Sequence, residues 1–350
     1  MITVAAYGTP SPTDNLRPME ITRRTPVADD VDIEILYCGV CHTDIHFAHN
    51  DWGYSAYPLV PGHEIVGRVT RVGDAVSRFQ PGDLVAVGCL VDSCRTCPSC
   101  REGLEQYCDK GMVGTYNSPD YRHGNAMTYG GYSRRIVVNE QYVLRVPENL
   151  DPAAAAPLLC AGITTWSPLR HWKIGKGHTV GVIGLGGLGH LGVKFAHALG
   201  ARVVMITTSP GKAADARKLG ADDVLISTDP EAMNAQARQF DFLLNTIPVS
   251  HDLNPYLPLL KRDGTMVVVG ALEPLSGQLQ TGALVMQRLS LAGSIIGGIP
   301  ETQEMLDFCG EHNILPEIEM IPMTGINEAF TRMQKNDVKY RFVIDMATLA

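Results

Sequence analysis

Hydrophobic residues along this 350-residue chain fall into two textures. Over the first 150 residues the apolar runs are short and are broken by Gly, Pro and Asp turns, as in "VDIEILYCGV" and "RRIVVNEQYVLRV". Such runs predict a mainly β segment. "GRVTRVGDAVSRFQPGDLVAV" predicts strand, turn, strand, with Pro81-Gly82-Asp83 as the turn. Near Pro157 the texture changes. Near-continuous apolar runs ("TVGVIGLG", "RVVMITTS", "DDVLIST", "FDFLLNTI", "TMVVVGA") then alternate with helical patterns such as "LGHLGVKFAHALGA" and "KAADARKLGA". Strands buried on both faces and joined by helices read this way. A helix near 301–312 and a last strand, "YRFVIDM", end the chain.

The expected architecture is therefore α/β with two domains. A β-rich segment opens the chain, and a doubly wound parallel-sheet segment follows it. The length agrees, since domains usually hold about 100–200 residues. A net charge of −8 gives no electrostatic support to a nucleic-acid or anionic-membrane partner. No apolar run reaches the ~18 residues of a membrane span. No basic run precedes an apolar stretch at the start, so no secretory signal is expected. These features predict a cytoplasmic protein, in which nine cysteines point to metal or catalysis before disulfides.

"VIGLGGLGHLG" carries Gly184-x-Gly186-x-x-Gly189 between a predicted strand and a predicted helix. In that context the pattern predicts a dinucleotide site formed by Gly184, Gly186, Gly187, Leu188 and Gly189. Gly184 permits the tight turn, Gly186 a close approach to pyrophosphate, and Gly189 close packing of helix on strand. The helix N-terminus offers free N–H groups to the phosphates. An NAD site usually places an acid about 20 residues further on, but no acid occurs between Gly189 and Asp215. Thr207, Thr208, Ser209 and Lys212 offer hydroxyls and a charge instead, and Ser209-Pro210 reads as a helix start. The combination predicts NADP(H).

Cys94, Cys97, Cys100 and Cys108 have the spacing C-x2-C-x2-C-x7-C. Four thiolates on one tight loop can close a tetrahedron around Zn²⁺ and replace a missing local core. An iron–sulfur cluster is the rival, although the fourth cysteine lies further along than in a ferredoxin run. Elsewhere, "CGVCHTDIHFAHND" holds Cys38 and Cys41, "PGHEIVG" holds His63 and Glu64, and "PLLCAGITTW" holds Cys160. Cys41, His63 and Cys160 would make a Cys2His set, the kind that leaves a fourth position open for chemistry.

With these motifs in order, the chain resembles the zinc-containing medium-chain alcohol dehydrogenases, and within them the NADP(H)-dependent cinnamyl alcohol dehydrogenase-like group. "GVCHTD", "PGHEIVG", the four-cysteine loop, "TYGGYS", "PLLCAGITTW", "GLGGLGHLGVKFA" and "RFVIDM" carry the resemblance over essentially the whole chain. It implies a GroES-like catalytic domain over residues 1–155 and 295–350, a Rossmann cofactor domain over residues 156–294, and two zinc ions per chain. Cys41, His63 and Cys160 are then catalytic zinc ligands, with Glu64 as an alternative ligand and Asp44 holding the His63 ring. Cys94, Cys97, Cys100 and Cys108 hold the structural zinc. Thr43, His46 and Asp51 form the proton relay. The implied reaction interconverts primary alcohols and aldehydes, aromatic or aliphatic and cinnamyl-type, by hydride transfer with NADP(H). The resemblance also implies a homodimer, paired through the apolar edge strand in "LSLAGSIIGGI".

Plainer readings apply to the neighbours. Cys38, Cys89 and Cys309 read as core cysteines, and His42 and His49 as surface or cleft-edge residues. Trp52 and Tyr54 read equally as packing aromatics and as the mouth of a substrate pocket. An NAD-dependent polyol or secondary-alcohol dehydrogenase, and a cofactor-binding sensor on the same fold, are the alternatives to the main reading.

Overall fold

The computed structural model describes residues 1–270 and 273–349; Ala271, the last residue of the run "TMVVVGA", lies outside them. The chain divides into two compact units, Met1–Cys160 with Gly297–Ala350, and Ala161–Ile296. The boundaries expected above were 155/156 and 294/295.

The first unit is built on a seven-stranded sheet whose centre is the ten-residue strand Asp30–Gly39. That strand pairs antiparallel with Ile65–Val72, with Arg135–Asn139 and with the terminal strand Arg341–Asp345. Within its run "VDIEILYCG", Val31, Ile33 and Ile35 alternate onto one face and are buried, while Glu34 between them is exposed. Ile65–Val72 and Leu84–Val87 form the expected strand–turn–strand, with Gly82 at φ 98° in the turn. The later crossing places Arg341–Asp345 between Asp30–Gly39 and Ile318–Pro322, so the C-terminal segment returns to the first unit's sheet. The helix expected near 301–312 runs from Ile299 to His312.

The second unit holds a six-stranded, all-parallel sheet. Its order is Asp223–Ile226, Arg202–Thr207, Thr179–Ile183, Phe240–Asn245, Leu260–Val268, Ser290–Gly293. Chain order thus reverses at Thr179–Ile183, the switch point at which doubly wound sheets bind dinucleotides. The central strands are apolar on both faces, and Val180, Val182, Val203, Met205, Phe240 and Leu244 are buried. After Ile183 the chain turns at Gly184, whose φ of 94° falls in the left-handed region that favours glycine. It then enters the helix Gly189–Ala198.

A side chain at Gly189 would place its Cβ 1.8 Å from the Gly184 carbonyl oxygen. Backbone cannot yield as a flexible side chain does. Gly189→Ala is therefore expected to lower stability by about 1–3 kcal/mol, as overpacking does, or to displace the helix start. Urea unfolding checks it, and a midpoint equal to that of the unmutated protein contradicts the packing argument.

Candidate metal centre and cofactor turn

Two sheet strands converge on the first site. Cys38 pairs with Ile65, and the Gly39 N–H donates to the Glu64 carbonyl at 2.9 Å. This register sets Cys41, just past one strand, beside His63 and Glu64, just before the other. Cys160 arrives from the short helical turn Ala156–Leu159. The donor atoms of Cys41, His63, Glu64 and Cys160 all lie within 4.8 Å of one another, and all four residues are buried. The two sulfurs are 3.9 Å apart.

The electrostatics of the pair suit a metal. Hydrogen bonding from Cys160 holds the Cys41 thiol well below its ordinary pKa, against the opposing effect of burial. The same contact pushes Cys160 well up. Cys41 is thus the more readily ionised of the two sulfurs, and a metal-binding sulfur must be ionised. Asp44 organises the nitrogen ligand: its Oδ1 lies 3.2 Å from His63 Nδ1 and accepts the Gly62 N–H at 3.1 Å. Burial works against a charged His63 ring, but Asp44 outweighs it and raises the ring's pKa. With Nδ1 directed at Asp44, Nε2 is the nitrogen left for a metal. The other Asp44 oxygen accepts the Cys41 N–H at 2.9 Å and the Tyr132 hydroxyl at 3.2 Å.

Glu64 shares this donor group and is also held from outside it. Its Oε1 accepts a hydrogen bond from the Arg341 guanidinium, and its Oε2 is buried without a partner. Burial pushes the Glu64 carboxyl up to about 7, against the pull of Arg341. Arg341, Tyr132 and Tyr116, which stacks on His63 at 5.7 Å, are parts of the site that the sequence reading missed. "TYGGYS" and "RFVIDM" contain two of them, but neither motif says what its side chains touch.

Cys41 also caps the helix His42–His49. Thr43 sits in its first turn, half-buried, and among the described residues its hydroxyl has no protein partner. His46 Nδ1 lies 2.8 Å from Asp51 Oδ2 at the solvent-facing end of the helix. The structure thus brings His46 and Asp51 together, while no hydrogen bond joins Thr43 to His46. His42 is half-buried and His49 exposed. Trp52, Tyr54 and Tyr116 all pack on the Phe47 ring, at 4.9, 5.5 and 5.3 Å. Tyr54 is nevertheless 63% exposed.

Cys38 and Cys309 are fully buried, as core cysteines should be. Cys89 is not: it is half-buried, and its thiol donates to the Leu159 carbonyl at 3.6 Å. The core reading of Cys89 is therefore replaced by a position against the turn that carries Cys160, which no spacing rule signalled.

The donor atoms of Cys94, Cys97, Cys100 and Cys108 form a second compact group. The N–H groups of Thr96 and Cys97 pull the Cys94 thiol down to about 6. Ligand spacing and low-pKa sulfur fit a closed tetrahedral site. Asp92, Asp120 and His123 make a third group. Arg95 already engages both Asp92 oxygens, at 2.9 and 2.8 Å, and supplies the positive charge there.

In the second unit the Gly184–Gly189 turn opens as the fingerprint requires, with nothing within 4 Å of a Cβ built on Gly186. Lys212 Nζ donates to the Leu185 carbonyl at 3.0 Å, so the lysine leans over this turn. The Thr207 hydroxyl is buried and accepts the Ser209 N–H at 3.2 Å. Thr208 is exposed, and the Ser209 side chain does not cap the following Pro210–Lys212 turn. The expected N-cap hydrogen bond is therefore missing, and the Ser209 hydroxyl remains available beside Lys212. This donor set fits a phosphate.

Residues 27–148 match the family described as alcohol dehydrogenase GroES-like domain, and residues 187–311 the one described as zinc-binding dehydrogenase. The chain is 56% identical to aldehyde reductase YahK of Escherichia coli, over 99% of this chain and 98% of that one. It is 54% identical to NADP-dependent alcohol dehydrogenase C 1 of Mycolicibacterium smegmatis, over 100% and 99%. A solved cinnamyl alcohol dehydrogenase from Sorghum bicolor superposes with a TM-score of 0.96 at 45% identity, covering 100% of this chain and 99% of the other. Two sulfurs and an imidazole in one unit, a dinucleotide turn in the other and these likenesses agree: the chain belongs to the zinc-binding alcohol dehydrogenases with a GroES-like domain, in the cinnamyl alcohol dehydrogenase-like group.

Proposed function

We propose that the chain interconverts primary alcohols and aldehydes by hydride transfer with NADP(H), and that Cys41, His63 and Cys160 hold the catalytic zinc. The observation that carries this reading is the buried pair of sulfurs facing an imidazole whose other nitrogen is fixed by Asp44. When bound, zinc supplies Lewis acidity toward the substrate oxygen, and NADP(H) accepts or donates the hydride. The chain's own residues bind, orient and move the proton. The Thr43 hydroxyl takes the substrate's proton during oxidation and returns it during reduction. His46 holds that proton near solvent, and Asp51 orients the His46 ring through Nδ1. Glu64 is the alternative ligand, with its unpartnered Oε2 available for that role. Cys94, Cys97, Cys100 and Cys108 take the structural zinc. Phe47, Trp52, Tyr54 and Tyr116 form an aromatic wall running out from His63, which suits flat aromatic and cinnamyl-type aldehydes.

For the cofactor, Lys212, Ser209, Thr208 and Thr207 are the groups we assign to the 2′-phosphate of NADP(H). Gly184, Gly186, Gly187, Leu188 and Gly189 take the pyrophosphate. We further propose a homodimer. Ser290–Gly293 is the open edge of the six-stranded sheet, and Leu291, Ile295, Val285 and Met286 nearby are exposed. An apolar unpaired edge invites a two-fold strand pairing. Among the described residues no helix is long and apolar enough to cross a membrane. All nine cysteines are free, which suits the cytosol.

Three outcomes test these assignments. His46→Ala should keep both zinc ions by elemental analysis yet slow alcohol oxidation by about 10²–10⁴, nearer the lower end because water can take the place of a solvent-facing ring. Cys160→Ala should instead lose one zinc together with activity. Zinc loss in His46→Ala, or full activity at every pH, overturns the relay. NADPH should exceed NADH in kcat/KM by at least roughly tenfold, the equivalent of ~1.5 kcal/mol from one charged contact. Thr207→Asp combined with Lys212→Ala should reverse that preference, and equal efficiency in the unmutated protein sinks the phosphate assignment. Light scattering at micromolar concentration should give the mass of two chains, and a monomer there contradicts the edge pairing.

A further inference from the structure

A histidine that passes a proton to solvent has to be held while it faces water. The His46 side chain is 36% exposed. Its contact with Asp51, 2.8 Å from Nδ1, fixes one edge of the ring. A ring held at one nitrogen can still swing about that contact. The residue after Asp51 supplies a second constraint. The Trp52 indole lies against the His46 ring, with centroids 5.1 Å apart and planes 32° from each other.

One turn of chain delivers both partners. Asn50 ends the helix His42–His49 in the left-handed conformation, at φ 59°. The chain folds back there, and the Asp51 N–H donates to the His46 carbonyl at 3.0 Å. Two further hydrogen bonds pin the turn to the helix end. Asn50 Oδ1 accepts the Ser55 N–H at 2.8 Å, and the Ser55 hydroxyl donates to the Phe47 carbonyl at 2.7 Å. Trp52 is itself held, in a T-shaped contact with Phe47 at 4.9 Å and stacked with Tyr54 at 6.1 Å. The indole is therefore a fixed surface for the imidazole. An aromatic face attracts a cation within about 6 Å of its centre. His46 becomes such a cation while it carries the relay proton.

We propose that Trp52 is a positioning residue of the proton relay. Asp51 holds the His46 ring by its edge, Trp52 holds it by its face, and Nε2 is left to exchange the proton. Trp52 takes no proton itself and acts through His46. The proposal rests on the reading of His46 as the relay, and it gives Trp52 a task separate from the aromatic wall. A wall residue discriminates among substrates. A residue that holds His46 affects every alcohol alike.

The test measures NADPH formation in a single turnover of the zinc-loaded protein, with benzyl alcohol and with 1-propanol. Trp52→Leu should keep both zinc ions and slow the two alcohols by the same factor, about two- to fivefold, which is what one cation–π contact at an exposed site contributes. Trp52→Phe, which keeps an aromatic face, should lose less. In a His46→Ala background Trp52→Leu should cost nothing further with 1-propanol, because the ring it holds is gone. Indole emission gives a readout apart from activity, since an imidazole in contact quenches it. Emission should rise in His46→Ala, and that rise should be absent when Trp52→Leu is already in place. Trp52→Met replaces the leucine variant should that one not fold. A loss confined to benzyl alcohol, an equal loss with and without His46, or an unchanged emission in His46→Ala overturns the proposal. Full activity in His46→Ala defeats the relay reading and this proposal with it. A slow His46→Ala beside a fully active Trp52→Leu defeats the proposal alone.

Discussion

The buried carboxylate of Asp44 is the constraint on which the metal centre depends. It has no exposure to solvent, and an unpaired carboxylate in such a place costs several kcal/mol. Here it accepts the N–H groups of Cys41 and Gly62 and the hydroxyl of Tyr132, and it faces His63 Nδ1. Those partners come from three separate stretches of chain. One side chain therefore fixes the backbone that carries the first sulfur, the turn that carries the imidazole, and the tautomer of that imidazole. The same contact to Cys41 N–H starts the helix that carries Thr43 and His46. The positions of Cys41, Thr43 and His46 are thus set together, which is why a short string of residues holds all three.

Unequal parts of this were legible in the sequence. The two sheets were, because alternating and continuous apolar runs report directly on burial, and the six parallel strands of the second unit fall where those runs lie. The glycine turn was legible because its chemistry is local: Gly184 and Gly189 are constrained by each other, five residues apart. The ligand set came from motif resemblance, since Cys41, His63 and Cys160 become neighbours only through strand register. Arg341 was beyond reach altogether. It meets Glu64 because the last strand inserts beside Asp30–Gly39, an arrangement that no local pattern encodes. Cys89 was misread for the same reason, as the Leu159 carbonyl its thiol meets lies 70 residues further on in a different element.

The cofactor turn shows the opposite economy. Ser209 was expected to cap a helix, but the structure gives a tight turn with no side-chain cap. Nearby, Thr207 turns its hydroxyl inward to the Ser209 N–H. The Ser209 hydroxyl is therefore not spent on the backbone, and it stands with the exposed Thr208 and with Lys212 near the glycine turn, where an anion can use them.

Charge balance favours a cation at the candidate metal centre. Asp44, Glu64, Cys41 and Cys160 are all buried. Among the described residues Arg341 pairs with Glu64, and the His63 ring, its pKa raised, faces Asp44. Burial opposes the Arg341 charge too, yet Glu64 and the two cysteines outweigh it and raise the guanidinium's pKa further. A divalent cation would add positive charge where the two sulfurs meet, taking both as thiolates in a place with little access to water.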